Sequence, residues 1–166
     1  MRNSRGFTLI ELLVAIAVLV IIAMIAAPSL GEVLIKQKLN SSANSFVSIL
    51  NQAKSQAVLL RTTIAVCPNK TNTDNDFTKD ECANAVIPSY SAMTTAQKES
   101  VQADRVYQVE IDSKVALQST SASAVLFTAL GNVSASKTFN LCASGNMRTI
   151  NVEKFGNISQ SSGTCS

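Results

Sequence analysis

The chain has 166 residues, is 46% hydrophobic but only 5% aromatic, and carries 14 basic against 11 acidic residues, a net charge of +3. Without Arg2 and Arg5, which precede an apolar N-terminal run, 12 basic residues face 11 acidic ones. Nucleic-acid binding needs Lys and Arg gathered on one face, and this balance offers no such footprint. Histidine is absent, which excludes a Ser-His or Cys-His nucleophile within the chain and removes the commonest general base. No acid pair or Ser-Lys spacing replaces it, so an enzyme is not expected.

The first element is the apolar run 7–27, 21 residues with a single charge, Glu11. A helix of that length at about 1.5 Å per residue spans the roughly 30 Å hydrocarbon core of a bilayer. Arg2 and Arg5 place its N-terminus in the cytoplasm and everything after Pro28 outside. A secretory signal peptide cleaved near residues 26–27 has a shorter apolar region. A plain anchor gives no reason for Glu11, since a charge at the bilayer centre costs about 2.5–3.5 kcal/mol on insertion scales.

Past Pro28 the apolar positions Ala43, Phe46, Val47, Leu50, Ala53, Ala57 and Val58 recur at three-four spacing, which predicts an amphipathic helix. One helix is therefore expected from about residue 7 to about residue 60. It should kink at Pro28, where the ring removes a backbone donor, with Gly31 softening the same place. Its outer half should pack on a sheet.

After Arg61 the pattern turns to short β-like runs: TTIAV (62–66), VYQVEI (106–111), AVLFTAL (124–130), KTFNLCA (137–143) and MRTINVEKFGNIS (147–159). Phe139 and Leu141 share one face, as do Arg148, Ile150 and Val152. This alternation fits an antiparallel sheet with one buried face. The segment 69–81, NKTNTDNDFTKDE, has Phe77 as its one apolar residue and reads as a solvated loop. Its acids lack the spacing of an EF-hand, so calcium is not expected. The four cysteines are Cys67, Cys82, Cys142 and Cys165. An even count after an export signal points to disulfides, and without C-x-x-C pairs no zinc site is expected. Three pairings are possible. The choice here is 67–82 and 142–165, because each restrains a segment too polar to hold itself.

The stretch RGFTLIELLVAIAVLVIIAMIAAP resembles the leader and first helix of the type IV pilin and type II secretion pseudopilin superfamily. The features that carry this are a short basic leader, Gly6, Phe7, Glu11 and Pro28. The resemblance implies cleavage between Gly6 and Phe7 by a prepilin peptidase, then N-methylation of Phe7. It also implies an assembly role for Glu11, whose carboxylate can meet the new Phe7 ammonium of a neighbouring subunit when apolar helices bundle in a fibre. Such pairing makes a charge acceptable in a low-dielectric bundle and sets axial register. Downstream, AKSQAVLLRTTIAVCPN, Phe127 with Gly131, and RTINVEKFGNIS with Gly156 at a turn resemble the GspH/FimT branch.

The fold expected is α+β and pilin-like, a long kinked N-terminal helix packed on an antiparallel sheet. Residues 1–6 would be a cleaved leader, 7–28 the membrane and assembly helix, and 29–166 a periplasmic domain with an amphipathic helix at 29–60 and a β-rich head at 61–166. The function implied is that of a minor pilin similar to the FimU type, priming a type IV pilus and linking tip proteins to the major pilin. Two readings compete. A FimT-like DNA-binding minor pilin needs a basic C-terminal motif, and no positive residue follows Lys154. A GspH-like pseudopilin of type II secretion keeps the fold and changes the machine. The partners implied are the prepilin peptidase, other minor pilins and the major pilin, with the bacterial inner membrane before assembly and the pilus afterwards. DNA, cofactors and metals are not expected.

Overall fold

The computed structural model describes residues 8–165, and the side chains of 23–30 lie outside that set. Its first element is a single helix, α1 (Leu9–Leu60). The chain divides into two units, one ending at Leu34 and one starting at Ile35. In the first unit every large apolar side chain between Leu9 and Ile22 is exposed, from 47% at Val20 to 80% at Leu9. A helix that is apolar all round needs an apolar surrounding. Helical backbone continues through Pro28; the kink expected there falls where side chains are outside the described residues.

From Ile35 onward α1 becomes one-sided. Leu39, Ala43, Phe46, Leu50, Ala53 and Ala57 are fully buried, at alternating four- and three-residue steps that keep them in one stripe. Two sheets cover that stripe. The first has strand order β2-β1-β4, from β1 (Ile64–Pro68), β2 (Val106–Val109) and β4 (Val125–Phe127). The second has order β3-β5-β6-β7, from β3 (Ala116–Leu117), β5 (Lys137–Ala143), β6 (Asn146–Val152) and β7 (Ile158–Thr164). The core joins the helix stripe to Ile64, Val66, Phe127, Phe139, Leu141 and Ile150. The Phe46 and Phe139 rings meet at 4.6 Å. The second sheet is wholly antiparallel and keeps the expected alternation, with Phe139 and Leu141 inward. Arg148 shares the inward face of Ile150 and donates from Nε to Asn40 Oδ1 on α1 at 2.9 Å.

The α+β pilin-like class holds, with two features the alternation did not reveal. First, β1 pairs antiparallel with β4 but parallel with β2. A parallel pair needs a crossover of a dozen or more residues. Here it contains α2 (Lys79–Val86), a 3-10 turn (Tyr90–Ala92) and α3 (Thr95–Asp104). Each helix opens on a capping box: Thr78 with Glu81, and Thr94 with Gln97. The reciprocal bonds satisfy amide donors that a helix start leaves free. The segment 69–81 is thus loop only as far as Thr78. Second, β1 is buried on both faces. Ile64 and Val66 join α1, whereas Ala65 and Cys67 join Cys82, Ala83, Tyr90 and Val101 from the crossover. That is why its sequence is continuously apolar.

Cys67 bonds to Cys82 and Cys142 to Cys165, with Cα separations of 6.0 and 6.1 Å. The first bond ties the end of β1 to α2. The second ties β5 to the residue after β7, a strand whose residues from Ser159 to Thr164 are all exposed. With no side chain of those six buried, ladder bonds to β6 and the disulfide hold β7. Each bridge should contribute about 3 kcal/mol by restricting the unfolded chain. Non-reducing peptide mapping should return these two pairs, and reduction should melt the tail before the core. Free thiols in exported protein would contradict both.

Candidate functional site

The chemistry implied by the sequence concentrates at the start of α1. Gly6 and Phe7 lie outside the described residues, as does the side chain of Pro28. Glu11 is described and sits in the first turn of α1. Its Oε2 accepts from the Thr8 amide at 3.5 Å and from the Thr8 hydroxyl at 3.4 Å, while the Glu11 amide donates to Thr8 Oγ1 at 3.3 Å. This is a capping box, and an acid there also favours the positive end of the helix dipole. The same motif at Thr78 and Glu81 is tighter, with both contacts to Glu81 Oε2 at 2.8 Å. There the Thr78 amide and then its hydroxyl hold the Glu81 carboxyl below its usual range. Glu11 is therefore held more loosely than its counterpart in the head, and its carboxylate is exposed. Thr8 was readable in the sequence as the first residue of a T-x-x-E motif.

Beyond Thr8 the following turns offer this carboxylate no polar side chain. From Leu12 to Ile22 every residue is Leu, Val, Ala or Ile. Among the described residues no helix is long and apolar enough to cross a membrane. The run expected to cross one, 7–27, includes Phe7 and the side chains of 23–27, which lie outside them.

In the head several ionisable groups are spent on structure. Lys70, buried, pairs with Asp74 at 2.7 Å. Asp80 accepts from the Tyr90 hydroxyl at 2.7 Å and from Gln102 at 3.0 Å. Asp112 accepts from the Lys114 amide and pairs with Lys38 at 3.0 Å, and these donors hold it below the usual carboxylate range. Of the acids of 69–81, Asp74, Asp80 and Glu81 are thus turned to separate donors, and among the described residues no group of three possible metal ligands comes together. Of the basic residues near the C-terminus, Arg148 faces Asn40, whereas Lys154 is exposed.

Residues 1–27 match the family described as prokaryotic N-terminal methylation motif. Residues 42–156 match the family described as type II transport protein GspH. Two crystal forms of the Pseudomonas aeruginosa type IV minor pilin FimU are similar to the chain. One is 15% identical with a TM-score of 0.49, over 76% of this chain and 90% of that one. The other is 16% identical with a TM-score of 0.47, over 74% and 92%. No curated protein matches the chain. With a head matched from α1 to the β6–β7 turn and an N-terminal methylation motif before it, the chain belongs to the type II transport protein GspH family, the GspH/FimT branch of the type IV pilin and pseudopilin superfamily.

Proposed function

We propose that this chain is a minor pilin, a structural subunit that primes a type IV pilus and joins tip proteins to the major pilin. The observation that carries the reading is a helix start apolar on every side except for one loosely held carboxylate, Glu11. In a single subunit the carboxylate does no more than cap its own helix. In a fibre, apolar helices bundle and the carboxylate finds a partner.

The family resemblance implies a sequence of events. The run 7–27 holds the protein in the inner membrane with the head in the periplasm. A prepilin peptidase hydrolyses the Gly6–Phe7 bond at the cytoplasmic face, leaving a carboxylate on Gly6 and an ammonium on Phe7. Glycine suits a cut made close to the membrane because it has no side chain. The helix stays behind, so cleavage does not release the protein. Phe7 is then N-methylated. While the subunit waits, Thr8 supplies Glu11 with an internal partner. On assembly the carboxylate exchanges those long contacts for the Phe7 ammonium of a neighbour, and an unpaired charge penalises every other stagger. Mass spectrometry of the protein from sheared pili should find a methylated N-terminus at Phe7. A start near Pro28 would replace this reading with an ordinary signal peptide.

A second reading, a GspH-like pseudopilin of type II secretion, is favoured by the description of the family that residues 42–156 match. Deleting the gene separates the two. Loss of surface pili with secretion intact supports the pilus, and the reverse supports the secretion machine.

A further inference from the structure

Along β5, β6 and β7 successive residues alternate between two faces. Phe139, Leu141, Ile150 and Val152 are buried in the core with α1. The charged residues of these three strands, Lys137 and Arg148, fall in the same inward register. The outward register holds no charge. Strand pairing sets Thr138, Asn151 and Ser159 in one outward row, and Asn140, Thr149 and Ser161 in the next. A third row, apolar, joins Ala116, Cys142, Met147 and Gly163. The Met147 methyl lies 3.1 Å from where a Cβ on Gly163 would be, so the thioether covers that glycine. Thr138 donates to Asn151 Oδ1 and Thr149 to Asn140 Oδ1, each at 2.9 Å, while Asn140 Nδ2 donates to Thr120 at 3.1 Å. Thr120 belongs to a strap beside β5, held by the Gln118 amide on the Asn140 carbonyl and the Ala122 amide on the Thr138 carbonyl. The middle row is therefore four chain segments wide.

We infer that this face binds a neutral glycan, an extended β-1,4-linked chain laid across the strands. The inference goes beyond the assembly reading and holds for either machine. Three observations select the ligand. The first is charge. A protein surface ordinarily intersperses both signs, and the crossover helices do so, with Lys79, Asp80 and Glu81 on α2 and Lys98, Glu99 and Asp104 on α3. The outward sheet face offers no counter-charge to nucleic acid, anionic lipid or a charged glycan. It also presents none of the aromatic or Arg anchors on which protein interfaces are built. The second is hydrogen bonding that is fixed but not used up. Among the described residues the Asn151 amide donors and the Ser159 and Ser161 hydroxyls have no side-chain partner. Groups ordered in advance spare a ligand the cost of ordering them, and the apolar row beside them receives the C–H side of a sugar ring. The third is spacing. Neighbouring strands lie about 4.8 Å apart, against about 6.7 Å between same-face residues along a strand. The smaller spacing is close to the rise of one sugar in an extended β-1,4-linked chain, so successive rings meet successive strands. An α-1,4-linked chain coils and loses that step.

Titration calorimetry of the purified full chain with cellohexaose, in a detergent whose head group carries no sugar, tests this. Cellohexaose should bind, and maltohexaose, the α-1,4-linked isomer, should bind at least about tenfold more weakly. Ser161→Glu puts a charge in the middle row and should weaken cellohexaose binding about tenfold, because that charge must be desolvated without a partner. Gln160→Glu, one residue away on the opposite face, should leave binding unchanged. Both side chains are exposed, so both variants should fold, which circular dichroism checks. Failure of cellohexaose to bind, equal binding of maltohexaose, or equal effects of the two variants would each overturn the inference. The measurement is made on purified protein, so its outcome does not depend on whether the chain enters a fibre.

Discussion

Glu11→Ala should leave the protein inserted and cleaved but keep it out of pili. Insertion should improve slightly, because a charge leaves the apolar run. Cleavage depends on Gly6 and the leader, which are untouched. In the bundle the substitution strands a neighbour's Phe7 ammonium, and breaking a buried pair from one side costs about 3–5 kcal/mol. Incorporation should therefore fall by on the order of a hundredfold. The structure adds a competing role, since Glu11 also closes a capping box with Thr8. Glu11→Gln separates the two roles, because Gln can serve in a capping box but carries no charge. If the ion pair matters, Glu11→Gln fails nearly as badly as Glu11→Ala. If only the cap matters, Glu11→Gln assembles normally and Thr8→Val does not. The readout is the amount of this protein in sheared pili relative to membranes. Wild-type levels of Glu11→Ala in pili would remove the register role altogether.

Gly156→Ala should destabilise the head by about 3 kcal/mol or more, through left-handed backbone strain and overlap with a neighbouring carbonyl. The new methyl would lie 2.0 Å from the Gly131 oxygen, a backbone atom that cannot rotate away. Relief requires separating the two turns, which would break the Lys54 bond to Gly156. Gly145 supplies the control. Its φ is 74°, against 76° at Gly156, yet nothing lies within 4 Å of an added Cβ, so Gly145→Ala should cost only about 1–2 kcal/mol of backbone strain. Denaturant unfolding of the full chain in detergent, followed by circular dichroism because there is no Trp, should show the two midpoints well apart. Equal shifts would mean that the turn contact contributes nothing beyond the φ requirement.

The helix stripe was readable because burial of α1 is a one-dimensional pattern. The spacing that singled out Ala43, Phe46, Leu50, Ala53 and Ala57 is the spacing found buried. It also included Val58, which remains 48% exposed. Periodicity marks a face, but where the covering turns stop short only the packed structure shows it. The crossover was hidden for a different reason. KDECANAV and TAQKESVQAD are short and mostly polar, so neither carries an apolar stripe long enough to count. Their capping boxes were legible signals, T-x-x-E at Thr78 and T-x-x-Q at Thr94. The strand β7 gave no alternation to read, because ISQSSGT buries nothing on either face.

The sequence by itself determined the local and covalent chemistry: a Gly6–Phe7 junction behind Arg2 and Arg5, a carboxylate at Glu11 in an apolar run, a long helix, and four cysteines flanking segments too polar to hold themselves. Each of these depends on residue type and on spacing along one stretch of chain. Only the tertiary structure decided that β1 lies between two apolar layers with a parallel neighbour, and that Lys54, Gly131 and Gly156 lock two turns together. It alone set the Gly131 turn against Val58 and Lys54 at the end of α1. These are contacts between residues dozens of positions apart. No local pattern encodes them, because burial and backbone approach at such a distance are set by how every element packs at once.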